Sequence, residues 1–393
     1  MTTLQTSVTP TKAGHWQSDP GFGIYVHIPF CRHRCSYCDF NTYEGQDELH
    51  ERYVGALVKE IDTWRGFGRR ASSVFFGGGT PTLLAPSLLN RILAALRDRF
   101  GIEPGAEVTV EANPETVDER VFEALLGGGF NRVSIGVQSL VPSVLKPLGR
   151  THSPERALEA IRAARRAGVA NLNADLIYGS PWESSSDWAM TLEQIVEEGL
   201  DHVSAYALTI EEGTPLATLV ASDRAPEVDP DVQAERHSVA EATLSEAGFE
   251  RYEVSNWAQA GAASRHNVLY WSAGDYLGFG AGAHGHFAGR RYWCLRLPRD
   301  LIAAVDRGKP TEAGFEVLDE RRRAAEALVL GLRLSSGVDL EAFAMRFDTT
   351  YVESIVKTLG DLEGLGLLAT AGPVVRLSAR GTLLANEVAC RLL

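Results

Sequence analysis

The sequence predicts an α/β fold, a partial (β/α)6 barrel followed by a winged-helix-like C-terminal domain. Three observations predict it. From Gly23 to about Leu208, short β-branched runs alternate with longer amphipathic ones, the pattern of parallel strands joined by helical crossovers. Six such units with right-handed crossovers curl into an open barrel whose loops after the strand C-termini form one rim. From about Thr311 the pattern changes to three short helices, two β-like runs and a final helix.

Residues 1–22 read as a polar tail with Lys12 as the only Lys or Arg. It holds no apolar run of the kind a signal peptide or membrane span needs, so the expected location is the cytosol. The six strands are predicted at Gly23-Ile28, Ser72-Phe76, Ala106-Glu111, Arg132-Val137, Asn171-Ile177 and His202-Leu208. Between the first two, Leu49, Tyr53, Leu57, Ile61 and Trp64 recur at three- and four-residue steps and make one apolar helical stripe. Similar helices fit Pro86-Phe100, Asp118-Leu126, Pro154-Ala167 and Asp187-Glu198.

Residues 209–310 are less regular, with a Pro- and Asp-containing stretch at Ala225-Asp231, a helix near Val232-Ala247 and a Gly-rich segment from Gly274 to Gly289. They are expected to extend the barrel and to serve as a linker, which sets the domains at 1–22, 23–310 and 311–393. In the last of these, Leu367-Ala369 and Val374-Leu377 are β-like runs joined by Ala371-Gly372-Pro373.

The 393 residues carry a formal charge of -13, which offers no electrostatic footprint for nucleic acid or an anionic membrane. The winged-helix-like region, with nine Arg or Lys against twelve Asp or Glu, is no exception and points to a structural or protein-contact role. Of five cysteines, three crowd into eight residues, a spacing that fits a metal site in a reducing compartment better than a disulfide framework.

Those three are Cys31, Cys35 and Cys38, in CxxxCxxC order directly after the first strand, where a rim loop is expected. Structural zinc normally takes four protein ligands, and a cubane cluster takes four thiolates. Three cysteines on one loop therefore imply a [4Fe-4S] cluster with one iron left open, a zinc site completed by His27 or His33, or three thiols without a metal. Farther along, Phe76-Gly-Gly-Gly-Thr-Pro-Thr82 puts glycines at a strand end, where missing Cβ atoms let backbone approach a ligand.

The cysteine loop together with this glycine turn resembles the radical S-adenosylmethionine (SAM) superfamily. Glu111-Ala-Asn-Pro-Glu115, Ser134-Ile-Gly-Val-Gln-Ser139, Asp175-Leu-Ile-Tyr-Gly179 and His266-Asn-Val-Leu-Tyr-Trp271 narrow it to the oxygen-independent coproporphyrinogen-III-oxidase-like family. That resemblance runs from about Gly23 to the C-terminus. It implies a cluster on Cys31, Cys35 and Cys38 whose open iron is chelated by SAM, with electron transfer yielding a 5'-deoxyadenosyl radical. It also implies that Gly78, Gly79 and Thr80 border the methionine amine, that Tyr25 lies near the cluster, and that the Tyr37 backbone approaches adenine. Glu111, Gln138, Arg150 and Asp175 are implied as contacts to SAM's polar groups, which suits an Arg fork for carboxylate and carboxylate acceptors for ribose hydroxyls.

Oxidases of this family carry a fourth cysteine two positions after the third and a longer N-terminal segment. Here that position is Phe40, and about two dozen residues precede the first strand. The chain resembles instead a branch of haem chaperones, which carry Phe there together with the motif matched by His266, Asn267, Tyr270 and Trp271. The resemblance implies haem as cargo, haem-accepting partners such as respiratory components, and an electron-donor protein. Imidazole ligates haem iron, and Trp and Tyr can cover a porphyrin face. His266 is therefore a candidate haem ligand, with His284 of Gly280-Ala-Gly-Ala-His-Gly285 as its rival. Radical SAM methyltransferases and cyclopropane-forming enzymes share the SAM motifs and are the alternative reading. Cys294 and Cys390 are expected to be buried thiols, and no CxxCH for covalent haem attachment occurs.

Overall fold

Residues 14–64, 67–347 and 349–393 are described in the computed structural model. The strands fall where hydrophobic runs meet turn residues: β1 (Phe22–Ile28), β2 (Ala71–Gly78), β3 (Ile102–Ala112), β4 (Arg132–Gln138), β5 (Asn171–Tyr178) and β6 (His202–Ala207). Each pairs in parallel with the next, so the six C-terminal ends lie along one rim. Parallel strands covered on one face by helices need apolar residues there, and Ile24, Val26, Val74, Phe76, Val108, Val110, Leu172 and Leu176 are all buried.

The covering helices include His50–Asp62, Pro86–Phe100, Glu119–Gly128, Pro154–Ala167 and Ser185–Glu197. Their starts are readable: Pro stands in the first turn of Pro86–Phe100 and Pro154–Ala167, and Ser184 with Asp187 forms a capping box. Of the predicted stripe, Tyr53, Leu57 and Ile61 are buried against the sheet.

The Gly-rich segment is not a linker. The sheet continues beyond β6 through β7 (Glu250–Glu253) and β8 (Asn256–Ala258), and beyond β1 through β9 (Asp275–Phe279), β10 (His284–Phe287), β11 (Arg290–Cys294) and β12 (Glu312–Val317). Its twelve strands run β12-β11-β10-β9-β1-β2-β3-β4-β5-β6-β8-β7 and leave the barrel open. Glycine is needed here because the backbones come close. A Cβ on Gly278 would stand 2.0 Å from the His284 carbonyl oxygen, and one on Gly285 would stand 2.3 Å from the Tyr292 ring. The boundary expected after residue 310 therefore falls one strand early, since β12 still pairs with β11.

The C-terminal region has helices Glu320–Gly331, Leu340–Ala344 and Thr349–Gly364, then the hairpin Leu368–Ala371 and Val374–Leu377, to which Val338–Asp339 adds a third strand. Leu328, Phe343, Leu362, Val375 and Val388 form its own core. Part of the expected polar tail belongs to it: Trp16 packs on Phe343 with ring centroids 6.0 Å apart, and the Gln17 N–H donates to Ser272 Oγ at 3.1 Å. Residues 1–13 lie outside the described residues. Cys294 is buried as expected, whereas Cys390 is exposed, because it faces away from that core on the short last helix. No helix among the described residues is long and apolar enough to cross a membrane.

The close approach at Gly278 makes a direct test of the sheet extension. Gly278→Ala should lower the thermal unfolding midpoint and cost roughly 1–3 kcal/mol, as overpacking does. An unchanged midpoint would contradict the pairing of β9 with β10.

Candidate functional site

The first three cysteines sit where β1 reaches the rim. Phe30–Cys31 pairs with Tyr43–Glu44, so the intervening loop closes back on the strand that feeds it. The glycine turn after β2 docks beneath: the Gly79 N–H donates to the Ile28 carbonyl and the Thr80 N–H to the Phe30 carbonyl, both at 2.8 Å. A Cβ on Gly79 would meet the Phe30 carbonyl oxygen at 2.6 Å and Cys31 Sγ at 3.1 Å, so this approach requires glycine. From the other side, Ser36 Oγ donates to the Pro147 carbonyl at 2.6 Å and Arg150 Nη1 to Cys35 Sγ at 3.4 Å.

The three thiols line a cavity of about 520 Å³ together with Tyr37, Gly78, Gly79, Thr80, Glu111, Gln138, Arg150 and Asp175. The rim thus brings together every residue named for the cluster and for SAM except Tyr25. Burial, with Cys38 and Cys35 nearby, pushes the Cys31 thiol up to about 11, and burial raises Cys38 as well. Thiols raised in this way keep their protons until a metal displaces them.

His27 does not complete a zinc site. Its Nδ1 shares a hydrogen bond with the Tyr25 hydroxyl at 2.9 Å and its Nε2 faces the Asn41 carbonyl at 3.0 Å. His33 turns to Glu44 at 3.5 Å. Among the described residues no three His, Cys, Asp or Glu side chains converge as ligands of a single ion, whereas a cubane is held at separate corners.

Two carboxylates face the cavity from adjacent regions of the lumen. Glu111 accepts from the Gly78 N–H at 3.1 Å, and Asp175 accepts from Ser134 Oγ at 2.9 Å and Asn173 Nδ2 at 2.8 Å. Burial, then the charge of Asp175, raises Glu111 to about 8, and burial raises Asp175. Gln138 stands at φ 67°, one of four non-glycine residues in the left-handed region among those described, beside the register shift between Gly136 and Gln138. Arg150 Nη2 holds the Gly136 carbonyl at 2.7 Å, and its Nε is buried with no partner among the described residues. Three thiols, a cradle that a Cβ would fill, an orphaned guanidinium nitrogen and paired carboxylates fit a cluster plus a ligand bearing amine, carboxylate and hydroxyl groups.

Sequence reasoning missed Ser134, Asn113 and Tyr206, which also line the cavity. Ser134 opens a motif already singled out, but nothing local marks Tyr206.

A second cavity of about 630 Å³ adjoins the first, sharing Gly78, Glu111, Asp39 and Phe40 with it. Tyr25 lines this chamber, as do Tyr270, Tyr276, Trp293 and His284. Phe40, in place of a fourth cysteine, is 60% exposed at the shared mouth. His266 lies in neither cavity. It is fully buried, its Nδ1 bonded to Ser73 Oγ at 2.8 Å and its Nε2 to the Tyr270 hydroxyl at 2.9 Å, with Phe75 stacked on the ring. The Glu107 carboxylate accepts from the Arg265 and His266 N–H groups at 2.9 and 3.1 Å and anchors the start of helix Arg265–Trp271. The geometry gives His266 no nitrogen for iron and makes it the support of Tyr270.

The raised Glu111 gives a signed prediction for protein without cluster or SAM. Its unfolded carboxyl ionises near 4.5, whereas the folded one keeps its proton to about 8. The stability this group contributes is therefore full below 4.5 and is lost as pH rises through about 8. Glu111→Gln should unfold at a higher temperature than wild type at pH 8, and the gap should close toward pH 4.5. A gap that widens at low pH would contradict the burial of this carboxyl.

Residues 25–195 match the family described as the Radical SAM superfamily, and residues 318–384 match the HemN C-terminal domain. The chain is 40% identical over 377 residues to the heme chaperone HemW of Mycobacterium tuberculosis (strain H37Rv), covering 95% of each chain. It is 34% identical over 376 residues to the heme chaperone HemW of Bacillus subtilis, covering 93% of this chain and 97% of that one. The fold is that of the Escherichia coli radical SAM enzyme coproporphyrinogen III oxidase (HemN), with a TM-score of 0.82 over 96% of this chain and 91% of that one at 22% identity. The family implies a [4Fe-4S] cluster and SAM, which the rim residues fit. The chain therefore belongs to the radical SAM superfamily, among the HemN-like proteins and in their HemW branch.

Proposed function

We propose that this protein is a haem chaperone of the cytosol, which binds haem and passes it to acceptor proteins such as respiratory components. The observation that carries the reading is its end-to-end identity of 40% with a heme chaperone, covering 95% of both chains. In this reading Cys31, Cys35 and Cys38 hold the cluster. When bound, the cluster supplies an electron to the SAM sulfonium, taken from a donor protein. The residues around it bind and orient. The Gly78–Thr80 backbone leaves room for the methionine amine, Arg150 offers its unpartnered Nε toward the carboxylate, and Glu111, Asp175 and Gln138 accept from or donate to the ribose. The Tyr37 backbone borders the adenine, and Tyr25 lines the adjoining chamber with its hydroxyl tied to His27.

Phe40 supports a carrier in preference to an oxidase, because a phenyl ring at the mouth of both cavities can donate no thiol. Of the two histidines named from the sequence, His284 supports haem ligation better than His266, since no hydrogen bond to its imidazole is found among the described residues and it lines an open chamber.

Anaerobic reconstitution should give about four irons and four sulfides per chain, and alanine at any one of Cys31, Cys35 or Cys38 should abolish the cluster absorption. Stoichiometric zinc without sulfide would contradict this. Haem titration should give a saturable Soret band, and incubation with SAM, reductant and coproporphyrinogen III should leave that porphyrinogen unconverted. Efficient formation of protoporphyrinogen IX, or no saturable haem binding, would return the chain to the enzymes.

A further inference from the structure

We propose, resting on the haem-chaperone reading, that haem seats between the edge strands of the sheet and the C-terminal helices, with His286 as the iron ligand and Arg323 and Arg346 taking the propionates. A chamber of about 440 Å³ lies there, in the size range of small-molecule sites. His286, Tyr276 and Arg291 share one sheet face, since His286 pairs with Tyr276 across β9 and with Arg291 across β11. Trp271, Phe347 and Tyr276 supply aromatic walls.

Three arginines line this chamber against Asp275 and Glu326. Arg291 is tied to Glu316 and Glu326 at 3.1 and 2.6 Å. Arg323 has no carboxylate within ion-pair distance among the described residues. Among the described residues Arg346 donates to the backbone carbonyls of Gln17, Ser272 and Ala273 and stacks over the Phe347 ring at 4.9 Å, and burial with the charge of Arg323 lowers its pKa against the opposing charge of Asp275. Asp275 is itself paired with Arg69 at 2.8 Å, so Arg323 and Arg346, neighbouring guanidiniums with no carboxylate within ion-pair distance among the described residues, suit a flat apolar dianion in a chamber walled by aromatic rings. Haem is one, and its iron needs a neutral nitrogen. Burial, with Arg291 and Arg323 nearby, lowers the pKa of His286 against the opposing charge of Asp275, which favours the neutral imidazole.

Three further features converge on the chamber. Ala273 and Ala288, at φ 49° and 51°, both line it, and left-handed non-glycine residues persist where function over-determines them. The Trp271 indole N–H is buried with no hydrogen-bond partner among the described residues. Finally, Tyr270 and Tyr276, edge to face at 4.6 Å, line both this chamber and the one beside the cluster, so a single pair of rings forms the wall between the two. His266 holds that wall from behind through Tyr270.

The test titrates haem and iron-free protoporphyrin IX into cluster-loaded full-length protein, read as difference spectra and by porphyrin fluorescence, for wild type, His286→Gln, His284→Gln, His266→Gln and Arg323→Glu. His286→Gln should shift the Soret maximum and weaken haem binding by about tenfold or more while leaving protoporphyrin binding unchanged, as loss of one metal ligand predicts. Arg323→Glu, at a partly exposed site, should weaken both porphyrins by about tenfold or more. Cluster iron content reports that each variant is folded. A wild-type Soret maximum in His286→Gln, or the same shift in His284→Gln alone, would overturn the location while leaving the haem reading intact. No saturable haem binding by wild type would overturn both.

Discussion

Two backbone hydrogen bonds, from the Gly79 N–H to the Ile28 carbonyl and from the Thr80 N–H to the Phe30 carbonyl, fix the cysteine loop against the end of the neighbouring strand. They exist because parallel pairing brings β1 and β2 to the rim in register, His27 opposite Gly77 and Ile28 opposite Gly78. No side chain fits at Gly79, so the turn and the loop define one cradle. The same register places Glu111, at the end of β3, beneath the turn, where the Gly78 N–H holds its carboxyl. Cavity, carboxylates and thiols all depend on this stacking of strand ends.

Beneath the rim the lumen is polar, and a set of its groups around Asn173 is paired together. Asn173 joins Ser134, Asp175 and Ser204 at 2.6 to 3.0 Å, and His202 bridges Asn173 to the Tyr252 hydroxyl. A network satisfied in this way orients its members, so Asp175 reaches the cavity in one direction only. The same economy governs the helix Arg265–Trp271. Glu107 caps its start, His266 locks Tyr270, and Tyr270 and Trp271 are left to line the chambers.

Much of this was legible in the sequence. The six barrel strands and their helices follow from periodicity because each buries a regular face, and Pro86–Phe100 and Pro154–Ala167 announce their starts with proline. The cysteine loop and the residues expected at SAM were named through a family resemblance, and strand ends gather all of them but Tyr25 around one cavity. The segment 274–289 was not, since its glycines signal turns to any local reading and are required only once β9, β10 and β11 pack closely. The role of His266 was hidden for a similar reason: Ser73, which binds its Nδ1, is 193 residues away. His286 carried no motif at all, and only the pairing of β10 with β9 and β11 brings it to the arginines.

A chaperone differs from a passive haem binder in how it lets go. The direct measurement is the rate at which haem leaves the loaded, cluster-containing protein for the apo form of a b-type cytochrome, followed by stopped-flow absorbance over a range of acceptor concentrations. Direct hand-off predicts a rate that rises with acceptor concentration. A rate set by spontaneous dissociation, the same at every acceptor concentration, would contradict the account.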